Sequence, residues 1–202
     1  MSGSDVLTLA NQLTLLRMLL IPAFVVLVIE GELGWALVIF GIAGITDALD
    51  GVIARRSGQK TTLGAWLDPM ADKLLLVTTF VMLTLPGLNL VNRFPVWLTV
   101  LVISRDVAIV LTVAVVNLAV ARRTFRPSLL GKAATVTYVL TCVVTLAANY
   151  FRVHSTIVTV AIYVSLAITL ASGFDYALRL TRFRAGDTSA PSVSRPGNRA
   201  AG

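Results

Sequence analysis

The chain has 202 residues, of which 56% are hydrophobic and only 13% are charged, and its formal net charge is +7. So apolar a composition excludes an ordinary soluble domain and indicates a protein that crosses a membrane several times. The basic residues lie in short clusters between apolar runs and not along one soluble face, which argues against nucleic acid as a partner. The single cysteine, Cys142, excludes an intrachain disulfide and a cysteine-based metal site.

Six apolar runs follow one another along the chain, and each can serve as a transmembrane helix, which needs about 20 mostly apolar residues. The runs are 13–29, 33–54, 68–85, 95–120, 133–148 and 157–178. Before the first run, Val6, Leu9 and Ala10 have helical spacing and indicate a short helix in the membrane interface. The sequence therefore predicts an all-α, polytopic membrane protein with six transmembrane helices and a short N-terminal interfacial helix.

The two ends of the chain differ from this apolar body. Arg17, near the start of the first run, could contact phosphate or extend its side chain to the near membrane surface. No basic segment precedes this run and no small-residue cleavage site follows it, so we expect no cleavable signal peptide. We expect residues 1–182 to form one membrane domain, and residues 183–202, which lack core-forming side chains, to form a disordered cytosolic tail.

Basic residues are distributed unevenly between the connections. The connections after the second and fourth runs and the C-terminal segment hold twelve Lys and Arg residues, whereas the other three connections hold two. Because cytoplasmic connections carry the excess of basic residues, this count predicts that both termini, and the connection at 55–66, face the cytoplasm.

Two pairs of aspartates stand in the segments DALDGVIAR and GAWLDPMAD, with eight residues between the segments. Residues three or four apart share one face of a helix, so Asp47 would lie beside Asp50, and Asp68 beside Asp72. Two such helices facing each other would gather four hard oxygen donors, a set that suits one or two Mg²⁺-like ions. The alternative is that the aspartates solvate a loop or cap helices.

This spacing resembles the signature of the CDP-alcohol phosphatidyltransferases, membrane enzymes that move a phosphatidyl or similar group from a CDP-linked donor to an acceptor hydroxyl. All signature positions are filled: Asp47, Asp50, Gly51, Ala54, Arg55, Gly64, Asp68 and Asp72. The resemblance implies that the four aspartates hold two Mg²⁺ or Mn²⁺ ions, that Asp72 is also the general base, and that the protein is a homodimer.

The resemblance also implies a site for the CDP group of the donor. Its members would be Asn11, Thr14, Gly51, Ala54, Arg55 and Thr61. Arg55 offers a planar cation with several donors for phosphate. Asn11 could equally cap a helix, so the N-terminal part of this site has a structural alternative.

Arg105 and Asp106 lie near the middle of the fourth run, where charge is costly in lipid, so they should face the bundle interior or a wet cavity. One interpretation is a structural ion pair with a neighbouring helix. The other is an anion site for the acceptor, which Ser128 and Lys132 would complete at the cytosolic mouth. Lys132 could also be only one of the cytoplasmic basic residues.

The segments LDPMADK, ISRD and SLLGKAAT resemble phosphatidylglycerophosphate synthases and CDP-diacylglycerol-type cardiolipin synthases. This implies transfer of a phosphatidyl group from CDP-diacylglycerol to glycerol 3-phosphate, giving phosphatidylglycerophosphate and CMP, at the cytoplasmic face of the inner (plasma) membrane and among its lipids. Tyr138 stands near the place where such synthases usually carry Gln, which leaves phosphatidylglycerol open as the acceptor of a cardiolipin synthase. A cation carrier is a third interpretation of the intramembrane carboxylates, but a carrier has no use for the GxxAR element.

Overall fold

A computed structural model describes residues 9–57, 62–119 and 129–187, with side chains at 12, 15–46, 73–111 and 129–176. These residues form six α-helices and no strand, so the all-α prediction is confirmed for this part of the chain. The helices are α1 (Leu9–Glu30), α2 (Leu33–Ser57), α3 (Thr62–Thr84), α4 (Val96–Ala119), α5 (Leu129–Tyr150) and α6 (Thr156–Asp187).

Several helix ends differ from the ends of the apolar runs. α2 continues to Ser57 and α3 begins at Thr62, so the polar connection predicted at 55–66 was drawn too long. α6 continues to Asp187, beyond the domain end predicted at 182. Hydropathy shows where a segment stops being apolar. The helices continue beyond those points because Leu, Arg and Ala residues there have high helix propensity.

The start of the chain also departs from the prediction. α1 runs without interruption from Leu9, so Leu9 belongs to the first long helix and not to a separate interfacial one. Nothing between Ala10 and Leu13 breaks a helix, since this stretch has no Gly or Pro. The rest of the predicted interfacial segment, residues 1–8, lies outside the described residues.

The exterior of the bundle is apolar. Leu19, Ile45 and Ile157 are each more than 60% exposed, and many other large apolar side chains are exposed with them. Within the described ranges, two helical segments, Leu129–Tyr150 and Thr156–Tyr176, are long and apolar enough to cross a membrane. So much exposed apolar surface needs lipid or protein to cover it, and six transmembrane spans remain a prediction.

The core lies where α1, α2, α3 and α5 meet. α1 packs against both α2 and α3, and α5 packs against α2 and α6. Phe24 of α1 and Phe40 of α2 are buried with ring centroids 6.2 Å apart, and Phe80 of α3 meets Tyr138 of α5 edge to face at 5.7 Å. α1 is therefore a common support for the two helices that carry the aspartate pairs.

Two buried asparagines join the α3–α4 connection to the α5–α6 connection. The Asn149 amide accepts a hydrogen bond from the backbone N–H of Asn92 at 2.7 Å and donates to the Asn92 carbonyl at 2.9 Å. The Asn92 amide in turn donates to the Val153 carbonyl at 2.8 Å and accepts from the N–H of Ser155 at 3.1 Å. These bonds satisfy buried polar groups at the end of α3 away from its aspartates.

We expect Asn149→Ala to lower the free energy of unfolding by about 2 to 4 kcal/mol, because it leaves two buried backbone groups of Asn92 without partners. Thermal unfolding in detergent measures the change. Asn89→Ala is the matched control, since Asn89 is exposed in the same connection, and it should shift stability by less than about 0.5 kcal/mol. Equal shifts in the two variants would contradict this role for Asn149.

Candidate functional site

Two consecutive helices carry all eight positions of the aspartate motif. Positions 47 to 55 lie in α2, and positions 64 to 72 lie in α3. Asp47 and Asp50 are thus within one turn of a helix, as are Asp68 and Asp72, so each pair occupies one face of its helix. The helical placement predicted for both pairs is confirmed.

The side chains of the proposed metal and CDP sites lie outside the described part of the chain. This applies to Asn11, Thr14, Asp47, Asp50, Gly51, Ala54, Arg55, Asp68 and Asp72, while Thr61 and Ser128 are outside it entirely. Their mutual arrangement stays a prediction. The donor chemistry itself fits a hard divalent cation, because two helical pairs of carboxylates supply only oxygen ligands. Among the side chains described, no group of three or more His, Cys, Asp or Glu could hold a metal.

A cluster of charged and polar side chains begins directly after this motif, at Lys73. We call Lys73, Arg105, Asp106 and Ser172 the charge cluster. Asp106 accepts hydrogen bonds from Arg105 Nη1 through Oδ1, at 2.6 Å, and from Lys73 Nζ through Oδ2, at 2.9 Å. Arg105 Nη2 donates to Ser172 Oγ at 2.5 Å. The cluster therefore connects α3, α4 and α6, and one carboxylate contacts two cations.

The members of the charge cluster differ in exposure. The side chain of Arg105 is 10% exposed and that of Asp106 is 20% exposed, whereas that of Lys73 is 43% exposed. An arginine buried among helices needs a compensating charge, and Asp106 supplies it. An ion pair with a neighbouring helix, one of the two sequence interpretations, is present between Asp106 on α4 and Lys73 on α3. The acceptor role of Arg105 stays a prediction.

An open cavity of about 230 Å³ lies between α3 and α4 beside the charge cluster. Lys73 and Asp106 line it together with five aliphatic residues: Val77, Ile103, Val107, Val110 and Leu111. Arg105 does not line this cavity, since its side chain turns towards Ser172 on α6. The two cations that share Asp106 therefore face different surroundings.

Lys132 and Tyr138, two residues of α5 that the sequence singled out, lie in different environments. Lys132 is exposed in the first turns of the helix. Tyr138 is only 2% exposed; its hydroxyl shares a hydrogen bond with Thr169 at 2.6 Å and its ring packs on Phe80. Tyr138 thus serves helix packing, and its hydroxyl has a partner, as burial requires.

Arg17 is completely buried, so the interpretation that its side chain reaches the membrane surface is wrong. The position lies on the same face of α1 as the core residues Phe24 and Val28, seven and eleven residues further on. Because α1 packs against both α2 and α3, this face points into the bundle. The other interpretation of Arg17, contact with phosphate, remains open.

Sequence reasoning missed Lys73 and Ser172. Lys73 directly follows Asp72, but nothing in the sequence shows that it pairs with Asp106. Ser172 belongs to a hydroxyl face of α6 formed with Thr169 and Ser165, which precede it by three and seven residues. Ser165 bonds to Thr141 at 2.8 Å and Thr169 bonds to Tyr138, both on α5. A regular polar face within an apolar helix is a signal that could have been used.

We expect the loss of Lys73 and the loss of the Asp106 charge to lower stability by different amounts. Lys73→Met should cost less than about 1 kcal/mol, because the lysine is partly solvated. Asp106→Asn should cost about 3 kcal/mol or more, because it leaves the buried charge of Arg105 uncompensated. Unfolding of both variants in detergent is the measurement, and equal losses would contradict the assigned difference.

A family model described as CDP-alcohol phosphatidyltransferase matches residues 7–171 of the chain. A Mycobacterium tuberculosis protein named "Probable phosphatidylglycerophosphate synthase" is 39% identical over 131 residues, which are 61% of this chain and 57% of that protein. A Streptomyces coelicolor protein named "Cardiolipin synthase (CMP-forming)" is 35% identical over 139 residues, 64% of this chain and 60% of that protein.

A human protein with the same printed name as the Streptomyces one is 43% identical over 107 residues, 52% of this chain and 34% of that protein. The match therefore spans at most about 60% of the length of these relatives. Relatives of both names resemble the chain to a similar degree.

Proposed function

Since this chain belongs to the CDP-alcohol phosphatidyltransferase family, we propose that it transfers the phosphatidyl group of CDP-diacylglycerol to glycerol 3-phosphate, giving phosphatidylglycerophosphate and CMP. The observation that supports this most is the complete aspartate motif, whose eight positions all lie in α2 and α3. The similarity to the M. tuberculosis protein named as a phosphatidylglycerophosphate synthase supports the choice of acceptor.

In the proposed site, the four aspartates hold two divalent cations, Mg²⁺ or Mn²⁺, which when bound neutralise the donor diphosphate and stabilise the CMP that leaves. The CDP group is bound by residues of α1 and α2 and the connection after α2: Asn11, Thr14, Gly51, Ala54, Arg55 and Thr61. Arg55, two residues before the end of α2, donates hydrogen bonds to phosphate oxygens. The acyl chains of the donor stay among the helices and the surrounding membrane lipids.

Asp72 acts as the base for the acceptor. It takes the proton of the acceptor hydroxyl as that oxygen forms a bond to the phosphatidyl phosphorus. The bond from this phosphorus to the bridging oxygen of the diphosphate breaks, and CMP leaves with the electron pair. Asp72 adjoins Lys73, whose ammonium contacts Asp106, so the base and the charge cluster lie at the same level of α3.

Arg105, Ser128 and Lys132 bind the phosphate of the acceptor. Glycerol 3-phosphate is a small dianion and needs cationic partners. Arg105 suits this role because it is held inside the bundle and uses two of its five N–H donors in the contacts with Asp106 and Ser172. The remaining donors are available to phosphate oxygens.

We place the enzyme in the inner (plasma) membrane as a homodimer of chains with six transmembrane helices. In this arrangement residues 1–182 are the membrane domain and 183–202 are a cytosolic tail whose first five residues continue α6, and the aspartate motif faces the cytoplasm. The excess of basic residues in the connections on that side supports the orientation. In a Cys142→Ala background, thiol labelling of Gln59→Cys from outside the cell would overturn it, because position 59 should react only from the cytoplasm.

The alternative acceptor is phosphatidylglycerol, which would make the protein a cardiolipin synthase. The similarity to the Streptomyces and human proteins of that name favours this second candidate. Membership of a transferase family supports an enzyme and not a cation carrier.

A side-by-side acceptor assay tests the proposal. Purified protein with Mg²⁺ or Mn²⁺ and CDP-diacylglycerol is offered glycerol 3-phosphate, phosphatidylglycerol, inositol phosphate or serine, and CMP and the lipid product are measured. We expect divalent-dependent CMP release and phosphatidylglycerophosphate with glycerol 3-phosphate only. Product from phosphatidylglycerol alone would replace the proposed acceptor, and absence of CMP with every acceptor would contradict the activity.

We expect Asp72→Asn to differ from the other three aspartate variants. Asn keeps the shape and one acceptor oxygen but is not basic, so turnover should fall by about 100-fold or more while CDP-diacylglycerol binding largely survives. Asp47→Asn, Asp50→Asn and Asp68→Asn should weaken metal and donor binding together, because these residues hold the cations that bind the diphosphate. Metal-dependent donor binding and CMP release are measured on all four. Turnover of Asp72→Asn near the wild-type rate would show that Asp72 is not the base.

A further inference from the structure

We propose that Ser172 is a positioning residue, which together with Asp106 orients the guanidinium of Arg105 towards the phosphate of the acceptor. The inference rests on the proposed function, because it takes Arg105 to be the acceptor's anion partner. Ser172 lies one residue beyond the segment that matches the family model, and its hydroxyl is the contact from α6 to Arg105.

The guanidinium of Arg105 is fixed from two directions. Nη1 donates to the carboxylate of Asp106 on the same helix, and Nη2 donates to the hydroxyl of Ser172 across the α4–α6 contact. With only one of these contacts, the flexible arginine side chain could still rotate about its last bonds. Two contacts from separate helices define both the position and the plane of the group.

The third nitrogen of Arg105 lacks a comparable contact. Nε is buried, and no atom of the described residues accepts a hydrogen bond from it. A buried N–H without an acceptor is unfavourable, and the side chain as a whole is nine-tenths buried. Nε–H lies on the edge of the guanidinium that commonly binds two oxygens of a carboxylate or phosphate. Nη2 of this edge already donates to Ser172, so the donor that the two contacts leave for an anionic ligand is Nε–H.

Ser172 differs from the other hydroxyl residues of its helix face. Ser165 and Thr169 make their contacts with Thr141 and Tyr138 on α5, and those partners are neutral. Ser172 contacts a cation on α4. Ser165 and Ser172 are equally buried, at 0% and 2% exposure, and each contributes one hydroxyl to a contact between helices. Ser165→Ala is therefore a matched control for Ser172→Ala.

Loss of the Ser172 hydroxyl should affect the acceptor and spare the donor. Arg105 stays paired with Asp106 in Ser172→Ala, so the protein keeps its buried ion pair and should remain folded. Its guanidinium is then held from one side only and adopts the orientation for phosphate less often. Donor binding is assigned to residues of α1, α2 and the start of α3, whereas the Ser172 hydroxyl bonds to Arg105 on α4.

The test uses full-length protein in lipid nanodiscs, as wild type, Ser172→Ala and Ser165→Ala. CMP release is measured against acceptor concentration at saturating CDP-diacylglycerol, and against CDP-diacylglycerol at saturating acceptor, with glycerol 3-phosphate and phosphatidylglycerol in parallel. For Ser172→Ala we expect the acceptor KM to rise about 5- to 20-fold and the CDP-diacylglycerol KM to stay within about twofold. Ser165→Ala should leave both KM values within about twofold of wild type. Its thermal midpoint should change by about as much as that of Ser172→Ala.

An acceptor KM of Ser172→Ala within about twofold of wild type, or an equal rise in Ser165→Ala, overturns the inference, since both results indicate helix packing alone. If wild type uses only phosphatidylglycerol, the proposed acceptor is wrong. The inference is then judged by the phosphatidylglycerol KM of the same variants, because that lipid also presents a phosphate anion. If wild type releases CMP with neither acceptor, the proposed function and the inference fall together.

Discussion

The carboxylate of Asp106 is the interaction on which the polar interior of this bundle depends. It accepts hydrogen bonds from two cations, Arg105 on its own helix and Lys73 on α3, within a protein whose exterior is apolar. Without it, the buried charge of Arg105 would lack a compensating charge, and a second cation, Lys73, would lie nearby. Through Lys73, the same carboxylate also joins α4 to α3 at the residue next to Asp72, the proposed base.

The two ends of the bundle are held by different kinds of interaction. Neutral amides and backbone groups bond around Asn92 and Asn149, and this end of α3 has no described charge cluster. The aspartate motif occupies the other end of α3, with the charge cluster one residue beyond it. Hydrogen bonds between neutral groups tolerate burial, whereas like charges gathered for a diphosphate site repel each other when no ligand is present. α1, packed on both α2 and α3, supports the helices that carry the proposed site.

Periodicity and hydropathy were sufficient to predict the helices and the helical placement of the aspartates. They could not predict where the helices end, because Arg55 and Ser57 are polar and still helical. They also failed for Arg17, since one sequence does not tell which face of a helix packs against its neighbours. The partners Lys73 and Asp106 are 33 residues apart, and Arg105 and Ser172 are 67 apart. Only the packing of α3, α4 and α6 brings them together.

The central claim is that the aspartates of α2 and α3 form one cation site for a CDP-linked donor. The most direct measurement is an experimental structure with Mn²⁺ and CDP-diacylglycerol, in which anomalous scattering locates the metal. The account predicts Mn²⁺ within about 2 to 2.5 Å of carboxylate oxygens from both helices, beside the donor diphosphate. Mn²⁺ bound by only one helix, or a diphosphate away from both aspartate pairs, would contradict it.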